Sequence, residues 1–266
     1  MKGKAMQKVY DRFKDADIEL FCYDSIDSTN KQARRYAEER GGKICPTLFM
    51  AESQTEGRGR LGRSFFSPEK TGLYMTLLLE APKNRQSFER LTALAAVAAA
   101  ESIAEVFGAS PKIKWVNDLY LNEKKVAGIL AESFPVGESR FVALGVGINL
   151  CTSDFPEALA DKAGSVAAGL SSEELSAKKR ELAFLISVKL IAALEGQLQR
   201  EYMQSYRERS CVIGRDISFF AEGEEKRGRV TDITDDGALE VRLSQGNTVI
   251  LSTGEISIFS RDGKWY

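Results

Sequence analysis

Through the first half of the chain, apolar residues fall in short runs broken by Gly, Pro, Asn and Asp. Runs of that length and bounding predict strands, here near Ile18–Tyr23, Thr47–Ala51, Leu73–Leu79, Lys112–Val116, Val126–Ala131 and Phe141–Ile148. Between them the apolar spacing shifts to three and four. Asp27 or Ser28 caps a predicted helix reaching about Glu39, and Gly41 and Gly42 stop it. Arg90–Phe107 carries Leu91, Leu94, Ala95, Ala98, Ser102, Ile103 and Val106 on one helical stripe. The long stretch Glu173–Arg209 carries Leu182, Leu185, Ile186, Leu190, Leu194 and Leu198 in the same way. Such stripes are core packing and need no functional reading.

After Cys211 the pattern changes. Asp216–Ala221, Arg227–Thr234, Ala238–Leu243, Thr248–Leu251 and Glu255–Phe259 read as short strands, with hairpin turns at Asp235-Asp236-Gly237 and Gln245-Gly246-Asn247. Strands this short and this closely spaced predict a small β-barrel. The expected organisation is an α+β unit over residues 1–212 and an all-β unit over residues 213–266, the boundary falling near 210–214. The first unit is then expected to fold without the second. There is no internal repeat, and a chain of 266 residues buries a core without disulfide or metal staples.

Composition narrows the chemistry. The 37 basic and 38 acidic residues give a net charge of -1, so no global field for nucleic acid or membrane is expected. The apolar run Leu94–Ala100 ends at Glu101 and is too short to span a bilayer. Met1–Lys14 is charged and lacks the apolar stretch of a secretory signal, which gives a cytoplasmic reading. Cys22, Cys45, Cys151 and Cys211 form no C-x-x-C pair and read as reduced. Histidine is absent, which removes Ser-His-Asp and Cys-His catalysis, histidine bases and histidine metal sites. Chemistry falls to Lys, Arg, carboxylates, backbone amides or a bound metal ion.

Four segments stand out. In Glu52–Arg63, three glycines and three arginines follow a predicted strand. Glycines allow close backbone approach, exposed N–H groups form an anion nest, and arginines bring forked donors. The bland alternative is a flexible RG-type loop. It is neither a Walker A loop nor a dinucleotide fingerprint. Lys114-Trp115-Val116-Asn117-Asp118-Leu119, with Lys125-Val126-Ala127-Gly128-Ile129-Leu130 behind it, reads as a hairpin with polar groups at its mouth, and alone it is an ordinary hairpin. Gly145-Val146-Gly147-Ile148-Asn149 is a weak signal, since glycine in a strand often marks only a bulge or tight packing. Ser28-Thr29-Asn30 is explained by N-capping alone.

In this order, however, the four segments resemble the biotin–protein ligase family, whose pattern runs S-T-N, Q-x-x-G-R-G-R-x-G-R, K-W-P-N-D-L, K-x-x-G-I-L and G-x-G-I-N. The match covers roughly residues 20–150 through motifs and extends to the C-terminus through domain layout. Val116 stands in place of the family proline, and Phe65-Phe66 where a tryptophan and phenylalanine are common.

The resemblance implies a mixed-sheet catalytic domain with flanking helices and a C-terminal SH3-like β-barrel. It also implies a two-step reaction: biotin and ATP give biotinyl-5'-AMP, and a lysine of a biotin carboxyl carrier protein then takes the biotin. By the same match, Ser28, Thr29, Asn30 and Gln54 lie at the biotin ring. Arg58, Gly59 and Arg60 approach its carboxylate and the phosphate, and Lys114 bridges the two. Phe65, Asn149 and Arg63 face the nucleotide, and Mg2+ accompanies ATP with no ligand assigned. Asp118 is either a charge-balancing helper or a turn residue. The Gly/Arg loop is expected to be mobile until the adenylate orders it. The first strand begins near residue 18, which leaves no room for a helix-turn-helix before it. No DNA or membrane partner is expected, and a homodimer is compatible with the pattern. A lipoate or octanoate ligase on the same fold would lack the G-R-G-R-x-G-R loop. An RNA-binding module conflicts with the near-zero net charge.

Overall fold

The computed structural model describes residues 11–42, 44, 46–81, 85–195, 199–221 and 223–259, without the side chains at 11, 85–89, 199 and 200. Cys45, Leu198 and most of the Met1–Lys14 segment, on which sequence expectations were placed, lie outside the described residues.

The chain runs α1 (Asp11–Asp15), β1 (Glu19–Tyr23), α2 (Thr29–Glu39), β2 (Thr47–Ala51), β3 (Gly72–Glu80), α3 (Arg85–Phe107), β4 (Lys112–Lys114), β5 (Asp118–Leu121), β6 (Lys124–Val136), β7 (Ser139–Asn149), α4 (Glu157–Ala160), α5 (Ser172–Leu194) and α6 (Gln199–Arg209). Five short strands follow: β8 (Asp216–Ala221), β9 (Glu224–Ile233), β10 (Leu239–Leu243), β11 (Thr248–Leu251) and β12 (Ile256–Ile258). The first seven strands form one sheet in the order β1-β2-β3-β7-β6-β5-β4. β1 and β2 are parallel and every other pair is antiparallel, so the sheet is mixed as expected.

Side chains alternate cleanly across this sheet. On β7, Val142, Leu144, Val146 and Ile148 join the large core cluster with residues of α3 and α5, while Phe141 and Ala143 join the cluster under α2. The α2 face of β7 therefore reads Phe141, Ala143, Gly145, Gly147, tapering toward one end. Its neighbours pair Leu78 with Ala143, Thr76 with Gly145 and Tyr74 with Gly147 on β3, and Phe134 with Phe141, Glu132 with Ala143, Leu130 with Gly145 and Gly128 with Gly147 on β6. One end of the α2 face is thus filled with apolar side chains, and the other is left open.

Two helices depart from expectation. α3 is buried on all sides from Leu91 to Ala100 where the sequence suggested a single stripe, except at Thr92. Small alanines let it sit between the sheet and α5 and α6. The stretch Glu173–Arg209 is two helices, α5 starting in a capping box in which Ser171 and Glu174 bond each other's backbone N–H. The strand expected at Lys112–Val116 ends at Lys114, and β5 begins after a turn containing a cis Trp115–Val116 peptide.

The last five strands form an antiparallel sheet in the order β11-β10-β9-β8-β12, the meander of the expected barrel. Its core is continuous with that of the larger sheet, since Val212, Ile217, Val230, Ile233, Leu239 and Val241 share one cluster with Leu91, Ile113 and Trp115. The two sheets are joined at the Lys114–Asp118 turn. Trp115 donates its indole N–H to the Gly237 carbonyl at 2.8 Å, and Tyr206 donates its hydroxyl to the Val116 carbonyl at 3.1 Å. Arg90 pairs with Asp236 at 2.6 Å beside them.

Candidate active site

The open end of the α2 face is a cavity of about 110 Å³. Its wall includes Ser28, Thr29, Asn30, Gln54, Arg58, Gly59, Arg60, Arg63 and Phe65 among the expected site residues. It also includes Tyr74, Asn117, Asp118, Lys125 and Glu255, which were not among the expected site residues. Lys114 and Asn149 are not in the wall.

The floor is made by glycine. A Cβ added at Gly145 would sit 2.3 Å from Asn30 Oδ1, and one at Gly147 would sit 2.7 Å from the Phe65 ring. The G-x-G pattern is therefore tight packing with a purpose: each missing side chain admits a residue from another motif.

One end of the cavity is polar and uncharged. α2 opens at Ser28, whose side chain makes no capping bond, so its hydroxyl is not consumed by the helix. Gln54 Oε1 accepts from the Thr29 backbone N–H at 2.9 Å and the Thr29 hydroxyl at 3.1 Å, while Gln54 Nε2 donates to Ser67 Oγ at 3.0 Å. Thr76 places its hydroxyl 2.8 Å from Thr29 Oγ1 and 2.6 Å from Asn30 Oδ1. Asn30 is buried, and its amide is turned into the sheet, donating to Glu132 Oε2 at 2.8 Å and the Leu130 carbonyl at 3.3 Å. Asp27, just before Ser28, is held at about 2 chiefly by the Arg35 guanidinium, whose forked contacts are 2.8 and 2.9 Å.

The other end is cationic. The Gly/Arg loop is hydrogen-bonded to itself: Gly59 N–H donates to the Arg63 carbonyl at 2.8 Å, Phe65 N–H to the Gly57 carbonyl at 2.9 Å, and Arg58 and Ser64 form an isolated β-bridge. Leu61 and Gly62 turn through positive φ, and Leu61 is exposed. Gly57 has no room for a Cβ, which would meet the Phe65 carbonyl at 2.3 Å. Arg60 reaches Asn117 Oδ1 at 3.3 Å, and Arg63 pairs with Glu255 at 2.5 Å, bringing a residue that follows β11 to the cavity.

Lys125 enters the wall through a bulge. β5 and β6 shift register between Leu119 and Tyr120, so Leu119 faces Ala127 while Tyr120 faces Lys125. The extra residue on β6 re-aims the side chains beyond it. Lys125 and Gly128 then share the cavity face, the lysine lying 3.4 Å from where a Gly128 Cβ would be. Lys125 pairs with Asp118 at 2.7 Å. Lys114 faces Asp118 across β4 and β5, with its ammonium 5.5 Å from the Tyr120 ring centre. Burial lowers the Lys114 ammonium from the usual lysine value, and Asp118 opposes the shift. Burial also pushes the nearby Cys211 thiol up to about 11 and the Tyr74 phenol up to about 12. Cys151 and Cys211 are free thiols. Asn149 is buried at the end of β7, outside the cavity wall, donating to the Gly164 carbonyl at 3.1 Å, and its Oδ1 has no partner.

Sequence reasoning missed Lys125 although it quoted the motif, because strict alternation along β6 places that side chain on the opposite face. The motif spacing was the available signal for Lys125, Asn117 and Asp118. No motif pointed to Tyr74 or Glu255.

Fold and cavity together define an α/β domain whose cavity is walled by a Gly/Arg loop and closed on one side by a small β-unit. The family model for the biotin/lipoate A/B protein ligase family matches residues 23–149, and that for the biotin protein ligase C-terminal domain matches residues 212–258. The biotin–[acetyl-CoA-carboxylase] ligase of Paracoccus denitrificans is 31% identical over 233 residues, covering 84% of this chain and 94% of that protein. The bifunctional ligase/repressor BirA of Bacillus subtilis is 39% identical over 150 residues, 55% of this chain. That match covers 46% of BirA, so it spans about half the relative's length. Among solved structures, a biotin protein ligase from Aquifex aeolicus in complex with biotin and ATP superposes with a TM-score of 0.71 at 25% identity, over 90% of this chain and 97% of that one. The chain belongs to the biotin–protein ligase family.

Proposed function

We propose that this chain activates biotin with ATP to biotinyl-5'-AMP and transfers the biotin to a lysine of a biotin carboxyl carrier protein. The observation that carries the reading is the two-ended cavity, with neutral donors and acceptors at Ser28, Thr29 and Gln54 and cations at Arg58, Arg60, Arg63 and Lys125. A ureido ring needs both donors and acceptors, which Thr29 and Gln54 offer. A carboxylate attacking a phosphate brings like charges together, so the catalyst must supply positive charge and alignment. Lys125, in the wall and paired with Asp118, is assigned the bridging role that the family resemblance implied for Lys114. Lys114 then acts from behind through Asp118. Phe65 and Arg63 are assigned to the nucleotide, and Asn149, with its buried unpartnered oxygen, to the adenine edge.

Among the described residues no group of three carboxylates or thiols converges on a metal position. Asp118 and Glu255 in the wall are each engaged by a cation. Magnesium would therefore arrive with the ATP phosphates, where it neutralises charge, as is usual for that ion. Among the described residues no helix is long and apolar enough to cross a membrane. A cytoplasmic ligase acting on a cytoplasmic carrier is the reading we adopt, and residues 1–212 and 213–266 are its proposed divisions.

The test is incubation with ATP, labelled biotin and a carrier domain. Label on the carrier lysine is expected, with none when ATP is omitted. Labelling by lipoate in place of biotin would overturn the substrate assignment.

A further inference from the structure

We infer that Glu132 is a positioning residue that holds Arg58 for the anionic partner, an inference resting on the ligase reading above. Glu132 sits on the α2 face of β6, opposite Ala143. Its two carboxylate oxygens have different tasks. Oε1 pairs with Arg58 Nη1 at 2.9 Å, and Oε2 accepts from Asn30 Nδ2 at 2.8 Å. Asn30 cannot turn to relieve either contact. Its Oδ1 takes the Thr76 hydroxyl at 2.6 Å and fills the space left by the missing Cβ of Gly145, and its Nδ2 also donates to the Leu130 carbonyl. The sheet thus fixes Asn30, Asn30 fixes Glu132, and Glu132 fixes Arg58, while the β-bridge to Ser64 holds the Arg58 backbone.

A guanidinium has five N–H donors in a rigid fork, so the Nη1 contact sets the plane and leaves the other donors for a carboxylate or phosphate in the cavity. An exposed Arg that must order itself on each binding event loses rotamer freedom that a pre-set one has already given up. The arrangement also demands a carboxylate. Glutamine presents one acceptor and one donor, so whichever way its amide turns it faces either Arg58 or Asn30 donor to donor.

The experiment is a double-mutant cycle of Glu132→Gln and Arg58→Ala, with pyrophosphate release from biotin and ATP as the first readout and thermal unfolding as the second. Misplacement of a charged group typically costs up to about a hundredfold. E132Q is expected to lower kcat/KM for adenylate formation roughly ten- to a hundredfold. It is expected to leave the unfolding midpoint nearly unchanged, since part-exposed ion pairs contribute little to stability. In the R58A background E132Q should have no further effect. A wild-type rate for E132Q, or an equal loss with and without Arg58, overturns the inference. If E132Q does not fold, Glu132→Asp, which keeps the charge but is one methylene shorter, is run through the same cycle with the same criteria. Absence of pyrophosphate release by the wild-type chain overturns the ligase reading itself, and this inference with it.

Discussion

The ring of Phe65 lies on Gly147, so close that a Cβ there would meet it at 2.7 Å. The ring also packs edge-on to Tyr74, with centres 6.4 Å apart. Gly147→Ala should therefore tilt Phe65 off β7 and toward the cavity. Overpacking of this kind costs about 1–3 kcal/mol where the neighbour can shift. We expect ATP affinity to fall by roughly ten- to a hundredfold, with biotin affinity less affected because Thr29 and Gln54 lie at the other end. Calorimetric titration of each ligand checks this, and unchanged ATP affinity would separate Phe65 from the nucleotide.

The Trp115–Gly237 bond makes a second prediction. The sequence suggests that the chain divides near Cys211, with a first unit able to fold alone. In the structure Trp115 is buried and takes its hydrogen-bond partner from the β9–β10 turn, within a core common to both sheets. Truncation after Cys211 uncovers Trp115 and the apolar residues around it. The truncated chain should be insoluble or unfold at much lower temperature. Trp115→Phe in the full chain should cost about 1–3 kcal/mol, from the lost bond and the Gly237 carbonyl left without it. A truncated chain that melts like the full one would show the cores to be separable.

Lys125 and Lys114 make a third. Removing one fixed donor at a developing anion typically costs about 2.7–4 kcal/mol, or roughly a hundred- to a thousandfold in rate. Lys125→Ala should show that loss in pyrophosphate release. Lys114→Ala should show a smaller one, because Lys114 lies outside the wall and reaches it through Asp118. The reverse ranking would return the bridging role to Lys114.

The elements were legible because their signals are local. Gly41 and Gly42 end α2 through positive φ, and alternation on β7 sorts its side chains between two cores. The motifs were legible as a set, since Ser28, Gln54, Arg58 and Phe65 do converge. What was not legible depends on geometry across strands. A one-residue bulge turns Lys125 into the cavity wall, and no periodicity reports it. Asn30 reads as a ligand contact in the motif, yet its amide is spent on Glu132 and the sheet. Glu255 reaches Arg63 from 192 positions away, a contact that only the docking of the second sheet creates.

A fourth prediction concerns acid. The Asp27 carboxyl is depressed from 3.8 to about 2, chiefly by hydrogen bonds from Arg35, then by the Ser28 N–H, with burial opposing. A depressed carboxylate contributes stability that is fully present above its unfolded value and lost as pH falls through the folded one. The window is therefore from about 4 down to about 2. Asp27→Asn should narrow the stability gap from wild type across that window, measured by urea unfolding at several pH values. A gap independent of pH would mean that the Arg35 fork does not hold the start of α2.

The last prediction concerns Arg60. The loop is bonded to itself, where the sequence suggested a segment mobile until an adenylate orders it. The Arg60 contact to Asn117 on the far wall is long, at 3.3 Å. An anionic adenylate between the two walls would offer Arg60 a charge-assisted contact of about 1.5–3 kcal/mol. Arg60→Ala should then do two separable things. Biotinyl-5'-AMP should dissociate about ten- to a hundredfold faster, the rate equivalent of that energy. The escaped mixed anhydride should also acylate lysines at random, since the loop no longer shields it from solvent. Serum albumin incubated with the variant, ATP and biotin is the detector. Labelled albumin with the variant, and little with wild type, is the expected result. If the variant makes adenylate at a normal rate and albumin stays unlabelled, Arg60 does not retain the intermediate and the loop does not close over it.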